Sequence, residues 1–275
     1  MKLLSIIVVA LNPGEKLKET LESIAGQTFK DYEVIIKDGC STDGSLEQIE
    51  ESGLLKSLSE VSVFRKEDTG IYDGMNQAVS HAKGKYFQFL NCGDRYYNEN
   101  VLKDTAEFIR NHEKDDDRAC IFYGSQYNDR QQCVVTSAPE INDFSCFRNV
   151  PCHQVCFYDS RLFSKRSYRT EYRVRADYEH FLYCIYEEKA ETAAMPVTVC
   201  HYEGGGFSET PENREISKQE HREITDSYMG RKAKWYRFVM ILSLAPVRTR
   251  LAESKTFSGL YNKIKSFFYR KKSNR

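Results

Sequence analysis

Two hydrophobic periods alternate along the first ninety residues. Residues 3–11 (LLSIIVVAL) form a near-unbroken apolar, β-branched run, the pattern of a strand covered on both faces. The run stops at Asn12-Pro13-Gly14-Glu15. There Asn12 suits an N-cap, Pro13 the first helical position and Glu15 the third, a capping-box start. Leu17, Leu21 and Ile24 then recur at helical spacing. Residues 32–37 predict a second strand, the polar turn 38–44 opens a helix, and 61–64 predict a third strand. Residues 71–82 read as a helix and 86–90 as a fourth strand. Strands alternating with helices through short loops predict an α/β fold with a mostly parallel central sheet and right-handed crossovers.

The pattern changes after about residue 115. The charged run 113–118 reads as a solvated loop, 121–123 and 133–137 as short strands around a polar turn, 178–188 as an aromatic-rich helix and 197–200 as a further strand. Gly204-Gly205-Gly206 breaks the chain, and a polar stretch follows to about Asp226. This divides the chain into one α/β domain over 1–228, with a nucleotide-binding half (1–115) and a completing, acceptor half (116–228), and an extension over 229–275.

Composition changes the picture mainly through charge. The chain has 275 residues with 40 basic and 40 acidic side chains. From residue 229 onward 13 are Lys or Arg and one, Glu253, is acidic, so the first 228 residues hold 27 basic and 39 acidic groups. Trp235, Tyr236, Phe238, Ile241 and Leu242, and later Leu260, Tyr261, Ile264, Phe267 and Phe268, interleave with those bases. Basic amphipathic helices with aromatic residues lie in membrane interfaces. Pro246 splits the extension into two predicted helices, 231–245 and 258–269. No apolar run reaches the roughly 18–20 residues that span a bilayer, and the short N-terminal apolar run lacks a cleavage site. The expectation is a cytoplasmic protein held peripherally on the inner face of the membrane by its extension. Pairing of the extension with an acidic partner or a second copy is the competing reading. Nucleic acid is disfavoured, because the acidic body repels phosphate backbones. Nine cysteines, an odd number without a C-x-x-C pair, read as reduced and mostly buried.

Ligands of open parallel sheets bind at the carboxyl ends of the strands. Collected there are Ala10-Leu11-Asn12, Asp38-Gly39, Glu67-Asp68 and Asn91-Cys92-Gly93-Asp94. Four carboxylates on one rim need a cation or donor groups from a ligand. The dinucleotide fingerprint and the P-loop are both missing from the sequence. Neutralising a diphosphate therefore falls to another agent, and a divalent metal bridging carboxylate and phosphate oxygens is the expected one.

Five segments in order make the chain recognisable: Ser5-Ile6-Ile7-Val8-Val9, residues 37–45 (KDGCSTDGS), residues 70–76 (GIYDGMN), Phe89-Leu90-Asn91-Cys92-Gly93-Asp94 and Ala176-Asp177-Tyr178-Glu179. Over residues 3–210 they closely resemble the family 2 glycosyltransferases of the GT-A fold, of the kind that build bacterial cell-surface polysaccharides. The resemblance implies an inverting, metal-dependent transferase using a nucleotide-sugar donor, UDP-hexose or UDP-HexNAc, and a glycan or lipid-linked acceptor. It implies that Asp38 meets the uracil ring, that Ala10, Leu11 and Asn12 border the nucleoside, and that Asp73, Asn76 and Asn91 help hold the donor. Asn91-Cys92-Gly93-Asp94 stands where the family's metal-binding D-x-D stands, which leaves Asp94 as the carboxylate for Mn2+ or Mg2+. Asp177 matches the family's catalytic base, with Glu179 on the same helix start as the competitor. His153 resembles a segment near the acceptor, or is a packed histidine. His201 is a late histidine of the kind some relatives use on the metal, or a strand-end residue. Gly205 and Ser208 belong to a segment resembling the loop over the donor diphosphate. Tyr72, Tyr86 and Phe89 read as core. A non-catalytic sugar-nucleotide or glycan-binding module with the same fold is the alternative.

Overall fold

The computed structural model describes residues 1–113, 118–205 and 207–242. β1 (Leu4–Ala10) and β2 (Tyr32–Asp38) are buried along almost their whole length, as the apolar run predicts. Side chains of β1 alternate between faces. Leu4, Ile6 and Val8 pack with Leu17, Leu21 and Ile24 of α1 (Glu15–Ala25) and with Leu46 and Ile49 of α2 (Ser45–Ser52). Ile7 packs on the other face with Met75 and Ala78 of α3 (Ile71–Val79). β3 (Val61–Arg65) and β4 (Tyr86–Phe89) complete a parallel set in the order β3-β2-β1-β4.

The capping box expected at Asn12 is not formed. α1 starts at Glu15 after Gly14, with no side-chain cap. Asn12 instead adopts φ 47°, a left-handed conformation that Asn tolerates better than most residues. Its Oδ1 accepts from Thr42 N at 2.9 Å, and its own N–H donates to Ser41 Oγ at 2.8 Å. Long-range stitching of two strand ends has overridden a local cap.

Parallel pairing stops at β4. β5 (Arg95–Tyr96) and α4 (Val101–His112) lead into β6 (Cys120–Asn128), β7 (Cys133–Val135), α5 (Asp143–Arg148), β8 (Cys156–Asp159), α6 (Ser160–Lys165), α7 (Ala176–Tyr186) and β9 (Glu191–Tyr202). β8 runs antiparallel between β4 and β6, β9 lies parallel to β6, and β5 is antiparallel to β9. The result is one nine-stranded mixed sheet, with β7 paired only to β6, and an apolar layer on each face.

The polar stretch after the glycines is largely α8 (Pro211–Met229). Thr210 caps it by accepting from Asn213 N, and Pro211 sits in its first turn, a start signal present in the sequence. Its buried face includes Asn213, Glu220 and Thr225, which hides the helix from a hydrophobic-period search. α9 (Arg231–Leu242) is the first twelve residues of the basic extension that form a described helix. It docks on the α/β body through buried Ala233 and through Tyr236, whose ring lies 5.3 Å from that of Phe147. The second predicted helix, 258–269, lies outside the described residues. No disulfide forms among the described residues, and four of the nine cysteines are fully buried.

Candidate active site

The rim at the ends of β1 and β2 is built by short-range bonds. Ala10 O accepts from Gly39 N at 2.8 Å, and Gly14 N donates to Asp43 Oδ2 at 2.8 Å. Asp38 is 1% exposed. It accepts from Ser41 N and Ser41 Oγ, and Arg65 Nε lies 3.6 Å from its Oδ2. Leu11 stands 60% exposed beside it. Space here is tight, since a Cβ on Gly39 would lie 3.0 Å from Asp68 Oδ2 and 3.2 Å from Leu11 Cδ1.

Four carboxylates without partners were expected on this rim; the structure corrects that count. Lys37, buried at the next-to-last position of β2, pairs with Asp68, and Arg65 neighbours Asp38. A lysine inside an apolar strand is the sequence signal, because such a charge is retained only with a partner.

Asp94 is different. It is 4% exposed, with Oδ1 accepting from Glu203 N at 3.0 Å and Oδ2 accepting from the Gln154 amide. Among the described residues no Lys or Arg pairs with it. Burial pushes its carboxyl up, against those two hydrogen bonds and the pull of nearby His153. The Glu203 carboxylate lies over Gly93, where a Cβ would meet Glu203 Oε2 at 2.7 Å, and Lys16 pairs with Glu203 at 2.5 Å. A buried carboxylate without a cation suits a hard divalent ion. No group of three or more His, Cys, Asp or Glu among the described residues is placed to hold one alone, so such an ion would need oxygens from the ligand.

Asp177 opens α7 and meets two side chains, Tyr72 and His153, the second of which reaches on to Asn91. Tyr72 OH lies 2.7 Å from Asp177 Oδ1 and also 2.7 Å from Val174 O. His153 Nδ1 lies 2.9 Å from Asp177 Oδ2, and His153 Nε2 lies 3.3 Å from Asn91 Nδ2. Burial favours the neutral acid, but hydrogen bonds from His153 and Tyr72 outweigh it and hold the Asp177 carboxyl below its usual range. Glu220 of α8 steadies the approach to this helix by accepting from the backbone N–H groups of Arg173, Val174 and Arg175 at 2.7–3.0 Å. Tyr72 is therefore more than the core residue it reads as. His153 stands between Asp177 and Asn91, whereas the packed histidine is His180, driven down to about 4 by burial.

The remaining candidates are dispersed. Asp73 Oδ2 accepts from Thr69 N at 2.9 Å, a bond that holds its carboxyl low at the start of α3. Asn76 gives Nδ2 to Tyr168 O at 2.8 Å and takes Tyr168 N at 2.9 Å on Oδ1. Its amide is thus committed to main chain and corrects the expected donor contact. Glu179 is fully buried against Arg166 at 2.9 Å and Tyr228 OH, so its carboxylate is engaged apart from the Asp177 contacts. His201 Nδ1 lies 2.7 Å from Asp129 Oδ1, and its ring stacks on Tyr97, so it is held in a side-chain cluster of its own. Gly205 N donates to Glu209 Oε2 at 3.0 Å, and Arg130 crosses Gly204 and Gly205 where any Cβ would clash. Ser208 is exposed; Gly206 lies outside the described residues.

The sequence matches the family described as glycosyl transferase family 2 over residues 5–170. A "PGL/p-HBAD biosynthesis glycosyltransferase" of Mycobacterium bovis is 34% identical over 218 residues, covering 78% of this chain and 82% of the relative. Among solved structures, Staphylococcus aureus TarS 1–349 in complex with UDP-GlcNAc superposes with a TM-score of 0.63 at 20% identity over 83% of this chain and 68% of that one. The mannosyltransferase PcManGT of Pyrobaculum calidifontis, in complex with GDP-Man and Mn2+, gives 0.61 at 14% identity over 99% and 83%. Those two likenesses establish a shared fold.

Proposed function

Because the chain belongs to glycosyl transferase family 2, we propose that it moves a sugar, with inversion, from a UDP-hexose or UDP-HexNAc to a hydroxyl of a glycan or lipid-linked acceptor in cell-surface biosynthesis. One observation carries the reading. An oriented carboxylate, Asp177, is linked through His153 to the Asn91–Asp94 segment. In this reading Asp38, Ala10, Leu11 and Asn12 border the nucleoside, and Asn91 lies beside the donor sugar. Asp177 takes the proton of the acceptor hydroxyl as that oxygen bonds to the anomeric carbon. The bond from the anomeric carbon to the diphosphate breaks, and its electron pair leaves with the nucleoside diphosphate. Asp94 would hold Mn2+ or Mg2+, which when bound offsets charge on the departing diphosphate. The UDP-GlcNAc complex of TarS and the Mn2+ in PcManGT support these assignments by analogy of fold.

Calorimetry tests donor and metal together. UDP is expected to bind wild type at least about tenfold more tightly with Mn2+ than without, a gain of about 1.4 kcal/mol. Asp94→Asn is expected to lose that gain. Silence of wild type toward UDP with Mn2+ overturns the reading, and an undiminished Mn2+ gain in the variant removes Asp94 from the metal.

The extension is assigned to an anionic membrane surface. No described helix is long and apolar enough to cross a bilayer. On α9, Trp235, Phe238, Ile241 and Leu242 are 61%, 52%, 69% and 66% exposed beside exposed Arg231 and Lys234. Lys232 and Arg237 instead pair inward with Asp143 and Asp226. Near-surface bases each gain about 1 kcal/mol from anionic lipid, and salt screens that gain over about 8 Å. The protein should therefore sediment with anionic vesicles at low salt and come off at high salt. The triple change Trp235→Ser, Phe238→Ser, Ile241→Ser should weaken sedimentation about tenfold or more and leave thermal stability unchanged. Equal sedimentation of both proteins sends the face to a second copy or another partner.

A further inference from the structure

Both rims of the site are contacted by two consecutive side chains. His153 and Gln154 lie in the short helical turn His153–Val155 that precedes β8. Gln154 reaches Asp94, and its carbonyl takes Gln88 Nε2 at 2.7 Å. His153 reaches Asp177 with one nitrogen and Asn91 with the other, at 2.9 and 3.3 Å. A carboxylate can only accept, so Nδ1 carries a proton; Nε2 lies 3.3 Å from Asn91 Nδ2 and 3.5 Å from Asn91 Oδ1, and the nearer amide nitrogen makes Nε2 the acceptor. With side-chain exposures of 13% for His153 and 24% for Asp177, the pair is enclosed yet leaves part of the carboxylate open to an acceptor.

We propose that His153 is a positioning residue: its imidazole fixes the Asp177 carboxylate against the Asn91 amide, so that one side chain sets the distance between the acceptor side and the donor side of the site. This rests on the transferase reading above. His153 keeps its own proton on Nδ1 throughout, and the proton of the acceptor goes to Asp177. The groups facing Asp177 are Tyr72 from α3 and His153 from the turn. Around them, Tyr158, Tyr168 and Cys156 are buried and pushed well up, Cys152 is pushed up to about 12, and His180 is held down to about 4. All five therefore stay uncharged near neutral pH, which leaves His153 and Tyr72 to set the Asp177 charge.

The test has a spectroscopic arm and a kinetic arm on the full chain. Imidazole 15N spectra of labelled protein should show His153 as the Nδ1–H tautomer, with Nδ1 shifted by Asp177→Asn; an Nε2–H tautomer in wild type overturns the proposal. This arm needs no substrate, so a protein that fails to bind UDP sinks the transferase reading while the tautomer still decides the pairing. In the kinetic arm, His153→Ala should lower kcat about 10- to 100-fold with the donor KM within about threefold. The acid limb of its kcat profile should move to higher pH, because without His153 burial dominates and lifts the Asp177 carboxyl. His153→Asn places an amide N–H where Nδ1–H was, and should recover most of kcat and return the acid limb. Asn performing no better than Ala overturns positioning and makes the imidazole itself the proton acceptor. An unmoved acid limb in His153→Ala overturns it as well.

Discussion

Asp177→Asn is expected to lower sugar transfer about 10²- to 10⁴-fold while UDP affinity stays within about threefold of wild type. That loss corresponds to about 3–5 kcal/mol of barrier. The change is close to isosteric, so Tyr72 still finds an acceptor at Oδ1, where it now lies 2.7 Å away. What disappears is the only proton acceptor the mechanism assigns to the acceptor hydroxyl. His153 Nδ1–H would also face an N–H in place of Oδ2, which favours the other imidazole tautomer. Steady-state transfer assays, with calorimetry on the same preparation, separate the two effects. If Asp177→Asn turns over normally, the base has been misassigned. If wild type binds UDP but transfers to no acceptor and does not release UDP from a UDP-sugar, the chain is a sugar-nucleotide-binding module.

The first half of the molecule was legible because local pattern and tertiary burial agree there. Leu4, Ile6, Ile7 and Val8 on β1, and Leu17, Leu21 and Ile24 on α1, are fully or almost fully buried where periodicity puts them. The fold class follows from that agreement. Local reasoning failed where a side chain answers to a distant one. Asn12 reads as a cap, but it pairs with Ser41 and Thr42, some thirty residues away. Asn76 reads as a donor contact and is spent on the Tyr168 backbone. Tyr72 has the spacing of a core residue, and its hydroxyl acquires a role only when α7 brings Asp177 to it, 105 residues later. The pair Asp94 and Glu203 has the same origin, since β9 returns to the end of β4 after 109 residues. Family resemblance pointed to Asp94 and Asp177, which the consecutive residues Gln154 and His153 contact, but Gln154, Glu203 and Glu220 carry no local signal stronger than that of any surface polar residue. α8 escaped for a related reason: it buries Glu220 on backbone N–H groups and so lacks an apolar stripe.

Glu179→Ala is expected to cost about 3 kcal/mol of stability, a fall of roughly 6–12 °C in Tm for a domain of this size. Two acids open α7, and both sit where a helix favours negative charge, yet their surroundings assign them opposite work. Glu179 is fully buried. Its Oε1 and Oε2 each lie 2.9 Å from Arg166 Nη2, its Oε1 also takes Tyr228 OH, and Arg169 Nη1 is 3.8 Å away. The Arg166 guanidinium in turn lies 3.8 Å over the Tyr183 ring. Glu179 therefore ties α7 to α8 and to the segment after α6, and Ala leaves Arg166 and a half-buried tyrosine hydroxyl without their acceptor. Partial exposure of Arg166, at 27% of its side chain, keeps the cost below that of a fully enclosed orphan charge. Glu179→Gln retains acceptor oxygen for Tyr228 and should lose less stability than Ala. Transfer per folded molecule, measured well below Tm, should stay within about threefold of wild type in Glu179→Gln, because no part of Glu179 meets Asp177, His153 or Asn91. A Glu179→Gln protein with wild-type Tm and a hundredfold loss of kcat would reverse the assignment and make Glu179 the base, with Asp177 its structural neighbour.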